Sequence, residues 1–119
     1  MTDTLNTGKF GEDAAAEYLV LNGYVIIDRN LRFRVGELDI VALDTDGCTV
    51  FVEVKTRKNA DYGYASEFVD RNKQKRLIRA AELYSGRDIY MRFDIIEVYY
   101  RLCDNRMKVT EINHIENAF

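Results

Sequence analysis

Two short segments hold the residues best suited to chemistry: Gly36-Glu37-Leu38-Asp39-Ile40-Val41 and Phe51-Val52-Glu53-Val54-Lys55. In extended backbone successive side chains point to opposite faces. Glu37 and Asp39 therefore share one face of their strand, and Glu53 and Lys55 share one face of theirs. The intervening Asp44-Thr45-Asp46-Gly47 is a strong hairpin signal, with Gly47 free to adopt the positive φ of a short loop. Pairing Asp44 with Cys48 across that loop sets Asp39 opposite Glu53 and Glu37 opposite Lys55, unless a bulge at Gly47 shifts the register. Like charges directly opposite each other on a sheet are destabilising, and the other face of both strands (Leu38, Ile40, Val52, Val54) is apolar. A hard divalent cation, Mg²⁺ or Mn²⁺, between Asp39 and Glu53 removes the conflict, because such ions take one or two carboxylates, waters and phosphate oxygens. Lys55 would point into the same space, where an ammonium can orient a water or offset developing negative charge. The bland alternative is a solvated strand face, on which Asp, Glu and Lys are common and Glu-x-Lys carries no chemistry.

Helical positions bear on the same space. Projecting the apolar stripe Leu77, Ala80, Ala81 and Tyr84 backwards at helical spacing brings Asp70, Lys73 and Gln74 to the inward side. Gln74 could hydrogen-bond a phosphate or a water beside the metal; equally, the first turns could run past the sheet edge into solvent. Glu12 borders the apolar arc of an earlier helix, near Ala15 and Leu19. Pattern alone reads it as a boundary residue, with the metal centre as the other option.

Charge is unevenly spread. Seventeen Lys and Arg against twenty Asp and Glu give a formal net charge of −3, which excludes a uniformly basic nucleic-acid binder but not a local basic patch. Arg71, Lys73, Lys75, Arg76 and Arg79 crowd one stretch that contains no acid, and Arg29, Arg32 and Arg34 precede the first carboxylates. Basic residues beside an acidic metal site suit binding of a phosphodiester backbone by charge rather than by base readout, although most charge runs are solvated helix faces. Tyr62 and Tyr64 could stack on bases or simply anchor their loop.

These residues need elements to carry them. A chain of 119 residues, 47% hydrophobic and 31% charged, fits one globular domain spanning 1–119, with 1–6 expected to be flexible. No apolar run approaches the roughly 18 residues of a membrane helix, and the opening MTDTLNTGKF lacks the regions of a signal peptide; a soluble, cytoplasmic protein is expected. Cys48 and Cys103 fit neither a disulfide framework nor a CxxC metal site. Lone His114, without a Ser or Cys partner at recognisable spacing, reads as structural. Proline is absent, so Gly, Asn and Asp must build the turns.

The patterning predicts a helix over 7–22, with Thr7 as N-cap and Gly23 past its end, then strands over 24–34, 36–43 and 48–55. A second helix over 66–85 is closed by Gly86, and strands over 88–100 and 106–115 flank a Cys103-Asp104-Asn105 turn. The order α-β-β-β-α-β-β, with a helix available to cross over between the third and fourth strands, predicts an α/β domain: a central mixed sheet flanked by helices.

Taken together, several motifs resemble the YraN-like family of bacterial proteins, itself similar to Holliday-junction resolvases. They are Gly8-x-x-Gly11-Glu12-x-x-Ala15, Tyr18-Leu19, Asn30, the two carboxylate segments continuing to Thr56-Arg57, Lys73-Gln74, Phe93-Asp94-Ile95-Ile96 and His114-Ile115-x-Asn117-Ala118-Phe119. The resemblance runs from about Thr7 to Phe119 and implies the restriction-endonuclease-like fold with its PD-(D/E)XK constellation. Asp39 resembles the first metal-binding aspartate, Glu53 the second acidic ligand and Lys55 the catalytic lysine. Glu12 resembles the glutamate on the first helix of resolvases, and Gln74 the polar residue of the following helix. Leu38 stands where the motif has proline, a residue that serves mainly backbone shape. A fold family does not by itself fix a reaction, which has to be argued from the site.

The expectation is a Mg²⁺- or Mn²⁺-dependent endonuclease acting on branched or otherwise non-standard nucleic acid, DNA ahead of RNA. Asp39, Glu53 and the Val54 backbone carbonyl would hold the metal, with Glu12 as a further ligand and Lys55 handling the attacking water. Gln74 would join Arg71, Lys73, Lys75 and Arg76, together with Arg32, Arg34 and Arg57, in holding phosphates. Analogy with resolvases also implies a two-fold homodimer. The alternatives are a non-cleaving nucleic-acid-binding module of the same fold, in DNA repair, recombination or RNA metabolism, and a hydrolase of another phosphoester.

Overall fold

Asn6 opens the first helix, α1 (Thr7–Leu21). Its side-chain oxygen accepts the Lys9 backbone N–H at 3.0 Å, so Asn6 rather than Thr7 is the N-cap. The helix stops where Gly23 takes a φ of 88°, a conformation that costs glycine nothing. There follow β1 (Val25–Phe33), β2 (Gly36–Leu43), β3 (Thr49–Lys58), α2 (Arg71–Ser85), β4 (Met91–Cys103) and β5 (Arg106–Ile115). The computed structural model describes residues 6–58, 69–86 and 89–119; Tyr62, Tyr64, Ser66 and residues 1–5 lie outside them. Among the described residues α2 begins later than its periodicity predicts, because Asp70 turns its carboxylate onto the Lys73 N–H at 2.8 Å and caps the helix there.

The strands form one sheet in the order β1-β2-β3-β4-β5. Every neighbouring pair is antiparallel except β3 and β4, which are parallel, with α2 as the crossover that such a pair requires. The β2–β3 hairpin has the expected register, Leu43 pairing with Thr49 and Ile40 with Val52. Its loop is fixed by Asp44, whose backbone N–H donates to the Cys48 carbonyl at 3.0 Å while its Oδ1 accepts from the Asp46 and Cys48 N–H groups. The β4–β5 turn places Asp104 and Asn105 at φ of 52° and 63°, the two positive values of a type I′ turn.

Both faces of the sheet are covered. Ala15 and Leu19 of α1 pack on Ile40, Val50, Val52 and Ile96. Leu77 and Ala80 of α2 pack on Leu38, Val41, Phe51 and Ile95 on the opposite face. The α/β class and the element order follow the sequence expectation, but one detail is corrected. Leu38 and Ile40 do not share a face: Ile40 lies under α1 and Leu38 under α2. The β1–β2 ladder shifts register between Ile26 and Asp28 and, without a further shift, lacks the rung between Arg29–Ile40 and Leu31–Leu38, where Asn30 adopts a φ of 55° and the side chains change face. Asp39 sits at the break.

Candidate active site

Asp39 also marks the end of the other ladder. Pairing of β2 with β3 stops at Ile40–Val52, and beyond it the Asp39 side chain takes over, its Oδ2 accepting the Val54 backbone N–H at 2.9 Å. Within a strand, the N–H and C=O of one residue leave the same edge. The Val54 carbonyl therefore faces the same gap. The Glu53 carboxyl stands beside Asp39. Burial, and next the charge of Glu53, push the Asp39 carboxyl up to about 7; the Val54 N–H offsets this in part, and the charge of Glu12 adds to it. Close to neutrality this carboxylate pair thus retains a proton, in a position where a cation would serve the same purpose.

Two glycines bring the helices to this point. On α1, a Cβ at Gly11 would lie 1.7 Å from the Thr56 Oγ1 of β3, so only glycine permits the contact. That approach sets Glu12 beside β1, where the Asn30 amide donates to it and Arg29 Nη2 lies 4.0 Å from its Oε1. Burial pushes the Glu12 carboxyl up, while Asn30 and Arg29 pull it back. On the other face, a Cβ at Gly36 would lie 3.3 Å from the Arg76 carbonyl oxygen, a measure of how closely α2 rests on β2. The result is an ion pair: Lys73 Nζ lies 3.2 Å from Glu53 Oε1.

A cleft of about 150 Å³ opens between α2 and the two carboxylate strands, with Glu37, Asp39 and Glu53 as its floor and Lys73, Arg76 and Leu77 as its wall. A wider cleft of about 640 Å³ lies toward α1, lined by Glu12, Arg29, Asn30 and Arg32 among others. Glu37 borders both.

Of the residues singled out from the sequence, Asp39 and Glu53 converge and Glu12 stands within electrostatic reach. Lys55 is half-buried on β3, in register with Glu97 of β4. Glu37 pairs with Arg32 of β1 rather than with Lys55, because the hairpin ladder has already ended. Gln74 does not face the carboxylates; its Nε2 donates to the Val69 carbonyl at 2.8 Å and ties down the approach to α2. Arg57 does not belong to an exposed basic surface, being largely buried with its Nε 3.8 Å from Glu97 Oε2. Arg32, Arg34, Arg71, Lys75 and Arg76 are exposed.

Among the described residues no group of three or more Asp, Glu, His and Cys side chains gathers at ligand spacing. Two carboxylates and one strand carbonyl are nevertheless a donor set that suits Mg²⁺ or Mn²⁺, ions that keep most of their coordination for water and substrate oxygens. The raised proton affinity of Asp39 supports that fit, since burial first and the charge of Glu53 second make a bare carboxylate costly at this point.

Sequence reasoning missed a second polar cluster on the α1 face. Asp94, fully buried, accepts from Arg92 Nε at 3.0 Å and the Asn117 N–H at 2.9 Å, and its Oδ2 lies 2.7 Å from His114 Nε2. Arg92 continues to Asp44 and to the Tyr24 hydroxyl, both at 2.6 Å, and His114 Nδ1 lies 3.1 Å from the Tyr18 hydroxyl. Burial alone would push Asp94 up, but the hydrogen bonds from His114, Arg92 and Asn117 hold it below the usual carboxylate range. An aspartate inside the apolar run Phe93-Asp94-Ile95-Ile96 was the available signal.

The model of uncharacterised protein family UPF0102 matches residues 11–98. A UPF0102 protein of Caldanaerobacter subterraneus is 41% identical over 116 residues, covering 94% of this chain and 93% of the relative. Another from Symbiobacterium thermophilum is 52% identical over 95 residues, covering 76% and 80%, and one from Chlorobaculum parvum is 45% identical over 117 residues, covering 94% and 90%. Among solved structures, a repair endonuclease from Pyrococcus abyssi aligns with a TM-score of 0.43 at 19% identity, over 78% of this chain and 37% of that one. A complex of EndoMS with double-stranded DNA aligns with a TM-score of 0.45 at 20% identity, over 77% and 36%.

Proposed function

The chain belongs to the uncharacterised protein family UPF0102, the YraN-like family its sequence resembles, and we propose that it is a divalent-metal-dependent endonuclease cutting phosphodiester bonds in branched or otherwise structured DNA. The observation that carries this reading is the convergence of Asp39 and Glu53 where the β2–β3 ladder opens, with burial and mutual repulsion pushing Asp39 up to about 7. A bound Mg²⁺ or Mn²⁺ would supply charge neutralisation at the phosphate. Asp39, Glu53 and the Val54 carbonyl would hold it, with Glu12 approaching from α1. Lys55, on the strand that carries Glu53, would orient the attacking water and stabilise the charge it develops. Lys73 and Arg76 would hold the scissile phosphate from the α2 wall of the cleft, while Arg71, Lys75, Arg32 and Arg34 would grip its neighbours by charge. Gln74 acts one step back, through the Val69 carbonyl that it anchors.

The test is a nicking assay with Mn²⁺ on end-labelled junction, flap and duplex DNA. Cleavage is expected on the branched substrates and is lost in Asp39→Asn and Glu53→Gln. Branched substrates left intact, or cuts that persist in both variants, overturn the reading. A second reading, a non-cleaving nucleic-acid-binding module, is favoured by one observation: Lys73 already neutralises Glu53 without a metal. It predicts salt-sensitive binding and no turnover.

A further inference from the structure

Lys73 stands where the basic wall of the small cleft meets its acidic floor. Its root is fixed, because its backbone N–H is bonded to the capping Asp70 at 2.8 Å and α2 rests closely on Gly36. Its head is not fixed. A lysine ammonium rides on a flexible four-carbon stem and has no geometric preference among its partners. The side chain is 35% exposed, whereas that of Glu53, 3.2 Å away, is 10% exposed. Arg76, one turn further along the helix, lines the same cleft and is open to solvent. Two kinds of partner are therefore within reach of one ammonium: the carboxylate on the floor, and an anion entering the cleft beside Arg76. Gln74, the next residue, has no such freedom, because its amide is held by Val69.

We propose that Lys73 is a tethered cation that changes partners: it neutralises Glu53 while the carboxylate pair holds no divalent ion, and turns to a substrate phosphate beside Arg76 when such an ion is bound. Metal and polyanion binding are thereby coupled through one side chain. The inference rests on the metal-site reading above. Its physical basis is that an ammonium and a divalent cation on the same carboxylate repel, and repel more strongly in a half-buried cleft than in water. The flexible stem lets the ammonium leave at little cost. Once released, it adds a positive charge to the wall that Arg76 already forms, where a phosphate would enter. Linkage then requires reciprocity: the ion raises affinity for the polyanion by the same factor as the polyanion raises affinity for the ion.

The experiment is calorimetric titration with Mn²⁺ alone at pH 8, comparing wild type, Lys73→Gln, Lys73→Arg and Glu53→Gln. Removing the competing cation should tighten Mn²⁺ binding in Lys73→Gln by roughly fivefold, the lower end of typical coupling between sites, while Lys73→Arg stays near wild type. In parallel, anisotropy of a labelled single-stranded oligonucleotide is measured with and without Ca²⁺, another oxygen-seeking ion. The gain in affinity on adding Ca²⁺ should be larger for wild type than for Lys73→Gln. If wild type binds Mn²⁺, Glu53→Gln does not, and Lys73→Gln binds no more tightly than wild type, the exchange of partners is refuted and the metal site survives. If neither wild type nor Lys73→Gln binds Mn²⁺, both readings end. Binding by Lys73→Gln alone would support a placeholder strong enough to keep the ion out. The substitution spares the backbone N–H that caps α2, and a cooperative melting transition in each variant will verify that it is folded.

Discussion

The Asp39 Oδ2 sits 2.9 Å from the Val54 backbone nitrogen, filling the place a strand carbonyl would occupy if the hairpin ladder ran on past Ile40 and Val52. A carboxylate used as a ladder acceptor cannot swing away from the sheet. Asp39 is thereby held beside Glu53 despite the repulsion, and the carbonyl on that edge of Val54 is left facing the gap. The structure thus spends regular pairing at one rung to hold a concentrated negative charge, which suits a site built for a cation rather than for stability.

That arrangement makes Asp39→Asn a stabilising change in the absence of metal. The Asp39 carboxyl is pushed up from 3.8 to about 7 in the folded protein. The native state therefore binds its proton more tightly than the unfolded chain between those values. The contribution is fully favourable below about pH 4, declines as the pH rises toward 7, and is lost above it. Asparagine still accepts the Val54 N–H and can donate to Glu53. The variant should gain on the order of 3–4 kcal/mol at pH 8 and only about 1 kcal/mol at pH 4.5. Melting temperatures at the two pH values will check this. Added Mn²⁺ should raise the melting temperature of wild type and leave that of the variant unchanged.

The Asp39–Glu53 juxtaposition could be read from the sequence because the Asp44–Gly47 loop fixes the register that sets these two positions opposite each other, although regular pairing stops one residue short of Asp39 and the alternation breaks there. Features that depend on partners distant in the chain could not. Arg57 follows Lys55 by two residues in sequence and reads as part of the basic surface, but the parallel pairing with β4 brings Glu97 alongside, and Arg57 is largely buried there. Lys73 and Gln74 were equally placed by helical spacing, and only the position of the Val69 carbonyl separates them. The face switch between Leu38 and Ile40 falls opposite the left-handed Asn30 of β1, and asparagine is one of the few residues that adopts this conformation without large strain.

Gly11→Ala should test how α1 is held. A Cβ there would meet Thr56 Oγ1 at 1.7 Å and Thr56 Cβ at 2.9 Å. The helix must lift off β3 at a cost of about 2–3 kcal/mol, typical of overpacking. Glu12 would move with it, so the nicking rate should fall more than stability alone explains. Adding Thr56→Gly should restore part of both losses, by urea unfolding and by rate. A double variant no better than Gly11→Ala would place the strain elsewhere.

The basic residues divide into two groups that salt should separate. Arg71 and Lys75 are exposed on α2. Substituting glutamine at either should weaken oligonucleotide binding at low salt and reduce the slope of log K against log salt by about one. Arg57→Gln should leave that slope alone and lower the urea midpoint instead, since Arg57 lies largely buried beside Glu97. Titrations at several salt concentrations and a single unfolding series will distinguish the two groups.

Asp94→Asn should be the most damaging conservative substitution among these. Asp94 is fully buried and takes hydrogen bonds from Arg92 and from the Asn117 N–H, with His114 Nε2 at 2.7 Å. An asparagine has one acceptor oxygen and presents an amide where these donors already point, so the Arg92 guanidinium, only 17% exposed, loses its fully buried counter-charge and keeps Asp44 and the exposed Glu116. Breaking a buried pair from one side costs roughly 3 kcal/mol. The pH dependence follows from the lowered pKa: the folded carboxyl stays ionised below the usual 3.8, so its contribution is present above that value and lost as the pH falls through the lower folded value. Wild type should therefore lose stability steeply in acid, whereas the variant, weaker at pH 7, should show a flatter profile below pH 4. Because Asp94 lies under α1 and Glu53 faces α2, the folded variant should bind Mn²⁺ as wild type does. Urea midpoints at pH 7 and in acid, with one Mn²⁺ titration, will measure all three. An unchanged midpoint at pH 7 would mean that Asp44 and Glu116 alone satisfy Arg92.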